Sequence, residues 1–260
     1  MRYLVALPVF NEASSVQAVL QKVRRYAPDI LVIDDGSTDA TPRLLAREPG
    51  IQRIRHVDNR GYGQSLLDAF RYAAAAGYDW LITIDCDEQH EPEQIPCFVG
   101  AAGGDHADII SGSRYLCGMT GGYPPPPDRL AINREITDLL NDMLGLEITD
   151  AFCGFKAYRV SALRRLHLTE PGYAMPLQLW VQAARCGLRI KEIPVCLIYK
   201  DPNRHFGGGL DDPAARLLYY YDVLVHALGK QVRPPEPTSY HILRGPLART
   251  HGCVPLDLPC

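Results

Sequence analysis

The sequence contains no CxxC pair, no excess of basic charge and no apolar run approaching the roughly 18 residues of a spanning helix, and each absence removes a class of function. The eight cysteines, at positions 86, 97, 117, 153, 186, 196, 253 and 260, are too scattered for a zinc ribbon or a disulfide framework. Reduced thiols in the cytosol are expected. A formal charge of -3 gives no basic field, which argues against nucleic acid as the main partner. Without a spanning helix, membrane contact is expected to be peripheral or through a partner. The opening MRYLVALPVFNE is broken by proline, asparagine and glutamate, and no small-residue cleavage site follows, so it reads as a first strand. No internal repeat is present.

What remains is a globular chain. Hydrophobic residues make up 47% and charged residues 22% of 260 positions, enough to bury a large core. Short, β-branched apolar runs at 4–9, 30–33, 54–57, 81–84 and 108–111, and a later one at 189–199, predict buried strands. Between them Val16, Val19, Leu20 and Val23, then Leu66, Phe70, Ala73 and Ala74, recur at helical spacing. Such alternation predicts an α/β fold with a mostly parallel central sheet covered by helices on both faces. Leu217, Tyr221, Leu224, Val225 and Leu228 outline a closing helix. Residues 1–228 are therefore expected to form one domain. Six prolines in 229–260 predict an extended tail, and the run Pro124 to Pro127 predicts an extended, exposed loop.

In an open parallel sheet, ligands bind beyond the carboxyl ends of the strands. Those ends carry Pro8-Val9-Phe10-Asn11-Glu12, Asp34-Asp35-Gly36-Ser37, Asp85-Cys86-Asp87 and Gly112-Ser113-Arg114. Five acids and an arginine repel and crowd one another unless a cation or hydrogen-bonding ligand joins them, which marks a site. Asp85 and Asp87, with Gln89 as a neutral third ligand, suit Mg²⁺ or Mn²⁺ with positions left open for water and a diphosphate. Taken alone, the DxD pattern reads more plainly as a solvated turn with N-capping acids. Asp39 and Thr41 are assigned to turn and cap. An ionised Asp35 can accept hydrogen bonds from a base or ribose. His90 is expected to support the acids or touch the ligand rather than join a zinc site. Gly61-Tyr62-Gly63 lacks the third glycine of a dinucleotide fingerprint and is expected to open a helix beside the pocket.

Seven motifs in fixed order resemble the inverting glycosyltransferases of family 2 with the GT-A fold, and among them the polyprenyl-phosphate (dolichyl-phosphate) mannose synthases. They are LPVFNE (7–12), VIDDGSTDAT (32–41), NRGYGQSLLDAF (59–70), DCDEQHEP (85–92), GSRY (112–115), TDAFCGFKAYR (149–159) and KEIPV (191–195). The resemblance implies contacts to a GDP- or UDP-hexose at Pro8, Phe10, Glu12, Asp35, Gly61, Asp85 and Cys86. It also implies Mn²⁺ or Mg²⁺ at Asp85, Asp87 and Gln89. Arg114, Arg129 and Arg134 would meet the phosphate of a polyprenyl phosphate or other lipid acceptor on the cytoplasmic face of a membrane. Beside those arginines, Ile132, Ile136, Leu139, Leu140 and Met143 form an apolar face that suits a bilayer surface or the protein core equally.

The chain departs from the group in two places. Where a basic Gly-x-Ser-Lys loop is usual it carries Lys200, Arg204 and His205 before three glycines, a lid whose charge would balance a leaving diphosphate. Gln178 stands where the group tends to have glutamate. Catalytic roles are expected for Asp87, Arg114, Lys200 and Arg204. For a hydroxyl acceptor Asp150 is the candidate base, with a cap before the Gly154 turn as its equal alternative. A nucleotidyltransferase would need a basic glycine-rich loop after the first strand, and Pro8 to Glu12 is not one. A silent nucleotide-binding scaffold would be expected to lack the acids.

Overall fold

The alternating apolar runs fold as the parallel-sheet pattern requires, with one strand reversed. The computed structural model describes residues 1–116, 125–196, 198 and 208–229. Lys200, Arg204, His205, most of the proposed lid and all of 230–260 lie outside the described residues. In chain order the elements are β1 (Tyr3–Val9), α1 (Val16–Val23), β2 (Ile30–Asp34), α2 (Thr41–Ala46), β3 (Gln52–Arg55), α3 (Tyr62–Ala75), β4 (Trp80–Thr83), α4 (Ile95–Gly103) and β5 (Ile109–Ser113). They continue as α5 (Pro127–Leu144), β6 (Lys156–Arg159), α6 (Val160–Leu163), α7 (Met175–Arg185), β7 (Ile190–Pro194) and α8 (Pro213–Leu228).

The sheet has seven strands in the order β3-β2-β1-β4-β6-β5-β7. β1 pairs in parallel with β2 and β4, β2 with β3, and β5 with β7. β6 runs antiparallel between β4 and β5. Because the chain leaves β1 for β2 and β3 and then crosses back to β4, strand order reverses at β1, where an open sheet places its ligand crevice. Leu4 and Ala6 of β1 pack with α3, α5, α7 and α8 on one face, and Val5, Leu7 and Val9 pack with α1 and α4 on the other. Successive strand residues point to opposite faces, and both faces are covered, hence the unbroken apolar runs.

Two expectations are corrected and one open alternative is decided. β3 lies two residues earlier than predicted, with Ile54 paired to Ile33 and Val57 outside the strand, 94% exposed. An edge strand buries only alternate residues, so its apolar content is a poor guide to its ends. Of the proline run, Pro125 is buried and Pro127 opens α5, because proline's fixed φ suits the first helical turn. The apolar face of α5 turns Ile132, Ile136 and Leu140 into the core, leaving Met143 at its exposed end. No helix among the described residues is long and apolar enough to cross a membrane.

Candidate active site

Beyond the ends of β1, β2 and β4 lies a cavity of about 500 Å³. It is lined by Pro8, Phe10, Glu12, Asp35 and Gly61, by the acidic corner Asp85, Cys86, Asp87 and Gln89, and by Arg114 and Arg129. The strand ends thus bring together most of the residues singled out in the sequence.

The first wall is a set of interlocked turns. Asn11 sits at φ 56, and its side-chain oxygen accepts from Thr38 N at 2.9 Å, tying the loop after β1 to the loop after β2. Gly36, at φ 73, lies so close to the Asp58 backbone that a side chain would collide with it. Asp34 takes Ser37 N at 2.9 Å and Arg55 at 3.3 Å, so it shapes the turn and does not line the cavity. Asp35 does line it. Its Oδ1 accepts from Arg60 N (2.8 Å) and lies 2.6 Å from His56 Nδ1, and its Oδ2 accepts from Gly61 N (2.9 Å). Asp39 accepts from Thr41 N and Ala13 N, the turn role expected of it. At its start α3 carries Gly61 at φ 100, packed against the Pro171 carbonyl, where only glycine fits.

At the acidic corner Tyr62 donates to Asp85 Oδ1 at 3.0 Å, and its ring stacks on Tyr173 at 5.7 Å between centroids. Asp87 accepts from Gln89 N at 3.0 Å. His90 is buried behind them, its Nε2 3.8 Å from Asp85 Oδ2, and burial pulls its pKa down to about 4. At neutral pH the ring is therefore uncharged and does not compete with a cation for the acids. Asp85, Asp87 and Gln89 offer oxygen alone, a sparse set that a hard divalent ion accepts with positions to spare. Among the described residues no three His, Cys, Asp or Glu side chains gather in metal-holding geometry. Gly154 leaves room for the Asp85 carboxylate, since a Cβ there would overlap it. Gly154→Ala is accordingly expected to fold normally yet lose roughly tenfold or more in activity, because the carboxylate must turn away. Unchanged turnover in this variant would mean that the position of Asp85 is not critical.

The arginine wall rests on a buried ion pair. Arg114 reaches Asp150 through Nε (2.6 Å) and Nη2 (2.8 Å), a two-pronged contact that the planar guanidinium favours. Asn133 Nδ2 (2.9 Å) and Phe152 N (3.2 Å) also donate to Asp150. Burial opposes ionisation of Asp150, but Arg114 and Asn133 overcome it and hold the pKa down to about 2. Asp150 is wholly buried and its oxygens are engaged, so the structure does not present it as a base; it holds Arg114 in place. Arg134 is exposed on α5 and does not line the cavity, whereas Arg129, Ile132 and Asn133 on the inner face of the same helix do. Gln178 also lies apart, accepting from Thr169 N and Glu170 N.

Arg216, unremarked in the sequence, lines this wall. It is buried on α8, with Nη1 on the Leu210 carbonyl (3.0 Å) and Nη2 on Asp128 (2.5 Å). The available signal was a charged residue four positions before Tyr220 on the apolar side of a helix. Tyr62, Phe152 and Tyr220 also line the cavity.

The Glycosyl transferase family 2 domain matches residues 4–166, more than half of the chain. The Undecaprenyl-phosphate mannosyltransferase of Micrococcus luteus is 32% identical over 212 residues, covering 77% of this chain and 85% of the relative. The Polyprenol monophosphomannose synthase of Mycolicibacterium smegmatis is 30% identical over 204 residues, covering 75% and 76%. Crystal structures of glucosyl-3-phosphoglycerate synthase from Mycobacterium tuberculosis superpose in the complex with UDP (TM-score 0.68, 22% identity, 90% of this chain and 82% of that one). The complex with Mn²⁺, UDP and glucosyl-3-phosphoglycerate gives 0.67 at 21% identity, over 90% and 81%. At such identity these likenesses speak for the GT-A fold. With a crevice at the strand-order reversal, lined by acids and arginines, and this sequence match, the chain belongs to glycosyl transferase family 2 and is a glycosyltransferase.

Proposed function

We propose that this glycosyltransferase moves a hexose of the mannose or glucose type, with inversion, from a GDP- or UDP-sugar to a polyprenyl phosphate at the cytoplasmic face of a membrane. The observation that carries the reading is one cavity lined by Asp85 and Asp87 and also by Arg114, Arg129 and Arg216. Acids of that kind hold a cation, while arginines hold a phosphate. The names of the two relatives, one an undecaprenyl-phosphate mannosyltransferase and the other a polyprenol monophosphomannose synthase, support the acceptor class.

In this mechanism Asp35 and the loop after β1 hold the nucleoside, and Asp85, Asp87 and Gln89 would hold Mn²⁺ or Mg²⁺. When bound, the ion supplies positive charge to the departing diphosphate. Lys200 and Arg204 are the proposed additional counter-charges. Arg114, kept rigid by Asp150, and Arg129 orient the acceptor phosphate for in-line attack on the anomeric carbon. A phosphomonoester, with its second pKa of about 6, is already anionic near neutral pH. No base is required, in keeping with the engaged state of Asp150.

The test is release of nucleoside diphosphate from a panel of GDP- and UDP-sugars with Mn²⁺, with and without a short polyprenyl phosphate. Release that needs both metal and lipid phosphate is expected. Metal-dependent release indifferent to the lipid would keep the glycosyltransferase and discard the lipid phosphate as acceptor. Pyrophosphate in place of nucleoside diphosphate would mean a nucleotidyltransferase, and no turnover from any donor would overturn the proposal.

A further inference from the structure

His56 has no part in the mechanism above, yet it is among the least exposed charged or polar side chains near the cavity, at 4%. It follows β3, its backbone N–H bound to the Asp34 carbonyl at 2.9 Å. Its ring lies between two carboxylates, with Nδ1 2.6 Å from Asp35 Oδ1 and Nε2 3.0 Å from Asp68 Oδ2. Asp68, on α3, is itself held by Gln64 Nε2 at 3.0 Å and Arg71 Nη1 at 2.8 Å. The contacts thus run from the helix surface through the imidazole to the one aspartate of the β2 turn that lines the cavity.

The acceptor inventory of Asp35 shows what this arrangement leaves over. An ionised carboxylate has about four lone-pair sites. Oδ1 takes His56 and Arg60 N, and Oδ2 takes Gly61 N, so the remaining site belongs to Oδ2. The two backbone donors come from neighbouring residues of one loop and follow that loop if it shifts. His56 comes from the end of β3 and ties the carboxylate to the sheet.

We propose that His56 is a positioning residue for nucleobase recognition: by donating from Nδ1 to Asp35 it aims the remaining Oδ2 site at an N–H of the bound base. This rests on the reading of the cavity as a nucleotide-sugar site with Asp35 against the nucleoside. The ligand class is a nucleoside diphosphate whose base presents an N–H donor, as both guanine and uracil do. Selection is then by the base, whereas the acidic corner reads only the diphosphate.

Two substitutions separate this role from a merely structural one, because each keeps a different half of the imidazole. His56→Asn sets an amide N–H near the place of Nδ1 and keeps the bond to Asp35 while giving up Asp68. His56→Gln sets its amide nearer Nε2 and keeps Asp68 while giving up Asp35. Calorimetric binding of GDP, UDP and inorganic diphosphate, each with Mn²⁺, is measured beside thermal unfolding. The Asn chain is expected to bind the better nucleotide within about threefold of the unmodified chain, and the Gln chain roughly tenfold more weakly, the loss of one hydrogen bond to a charged group. Inorganic diphosphate, which has no base, is expected to bind all three chains alike. Equal weakening in both variants, or equal weakening of diphosphate, would reduce His56 to a structural tie and overturn the inference, as would a Gln chain that binds nucleotide normally. If neither nucleotide binds the unmodified chain, the donor-site reading itself is overturned. Should the Gln chain not fold, His56→Phe, similar in volume and without a donor, is expected to show the same selective loss, and its absence counts against the proposal in the same way.

Discussion

Asp87→Ala is expected to fold as the unmodified chain does and to release nucleoside diphosphate about three orders of magnitude more slowly, the scale on which several kcal/mol of charge stabilisation act. Asp87 stands in an irregular loop past β4, outside both hydrophobic cores, and accepts from Gln89 N within that loop. Removing it takes away one of the two aspartates of the corner, and a hard divalent ion loses a charged oxygen from an already sparse set. The loss should appear both in turnover at saturating donor and in Mn²⁺-dependent binding of nucleoside diphosphate. Asp39→Ala, at a turn outside the cavity, provides the control and is expected to stay within a fewfold. Equal activity of the two variants would detach the acidic corner from the chemistry.

Asp150→Asn is expected to cost about 3 to 5 kcal/mol of stability, because it leaves the largely buried Arg114 guanidinium beside a neutral amide. For a domain of this size that corresponds to a drop in Tm of roughly 10 °C. Transfer is expected to fall as well, since Arg114 loses both prongs of its support. The pair also predicts a pH window. The folded pKa of Asp150, about 2, lies below that of a free aspartate near 4, so the folded chain binds fewer protons between those values. The stability it contributes is complete above about pH 4 and disappears as pH falls toward 2. Acid unfolding of the Asn variant should show a shallower dependence in that window. A double replacement, Asp150→Leu with Arg114→Met, is expected to regain much of the stability and none of the activity, since apolar side chains can substitute for a buried pair in packing but not for a phosphate ligand. Recovered activity in the double variant would remove Arg114 from the acceptor site.

The parts of the fold legible in the sequence were those whose signal is local. β1, β2, β4 and β5 are buried on both faces and read as short apolar runs, and α1 and α8 as helical spacing. β6 escaped because it has four residues beginning in lysine and ending in arginine, and only the fold buries Lys156, whose ammonium donates to the Cys153 carbonyl. α7 escaped for another reason. Its buried residues include Met175, Leu177, Leu179, Val181 and Ala183, an alternation that imitates a strand, because the helix is enclosed on nearly every side. In the site, the acids at the strand ends could be found because topology alone gathers them. The roles of Asp150 and Arg134 could not. The first depends on Arg114, 36 positions away, and the second on which face of α5 meets the cavity. His56 and Arg216 were silent for the same reason, their partners lying on other elements.

The reversed strand at the centre of the sheet sets an order of assembly on the growing chain. β1 to β4 pair only with one another on their inner edges and can join as soon as Trp80–Thr83 has been made. β5 has neither neighbour at that moment, since its partners are β6 and β7, and β6 arrives only after the whole of α5. The strand ends that carry Pro8, Phe10, Asp35 and Asp85 are thus laid side by side early in synthesis, while Ile109–Ser113, unpaired on both edges, waits as the segment most exposed to mispairing.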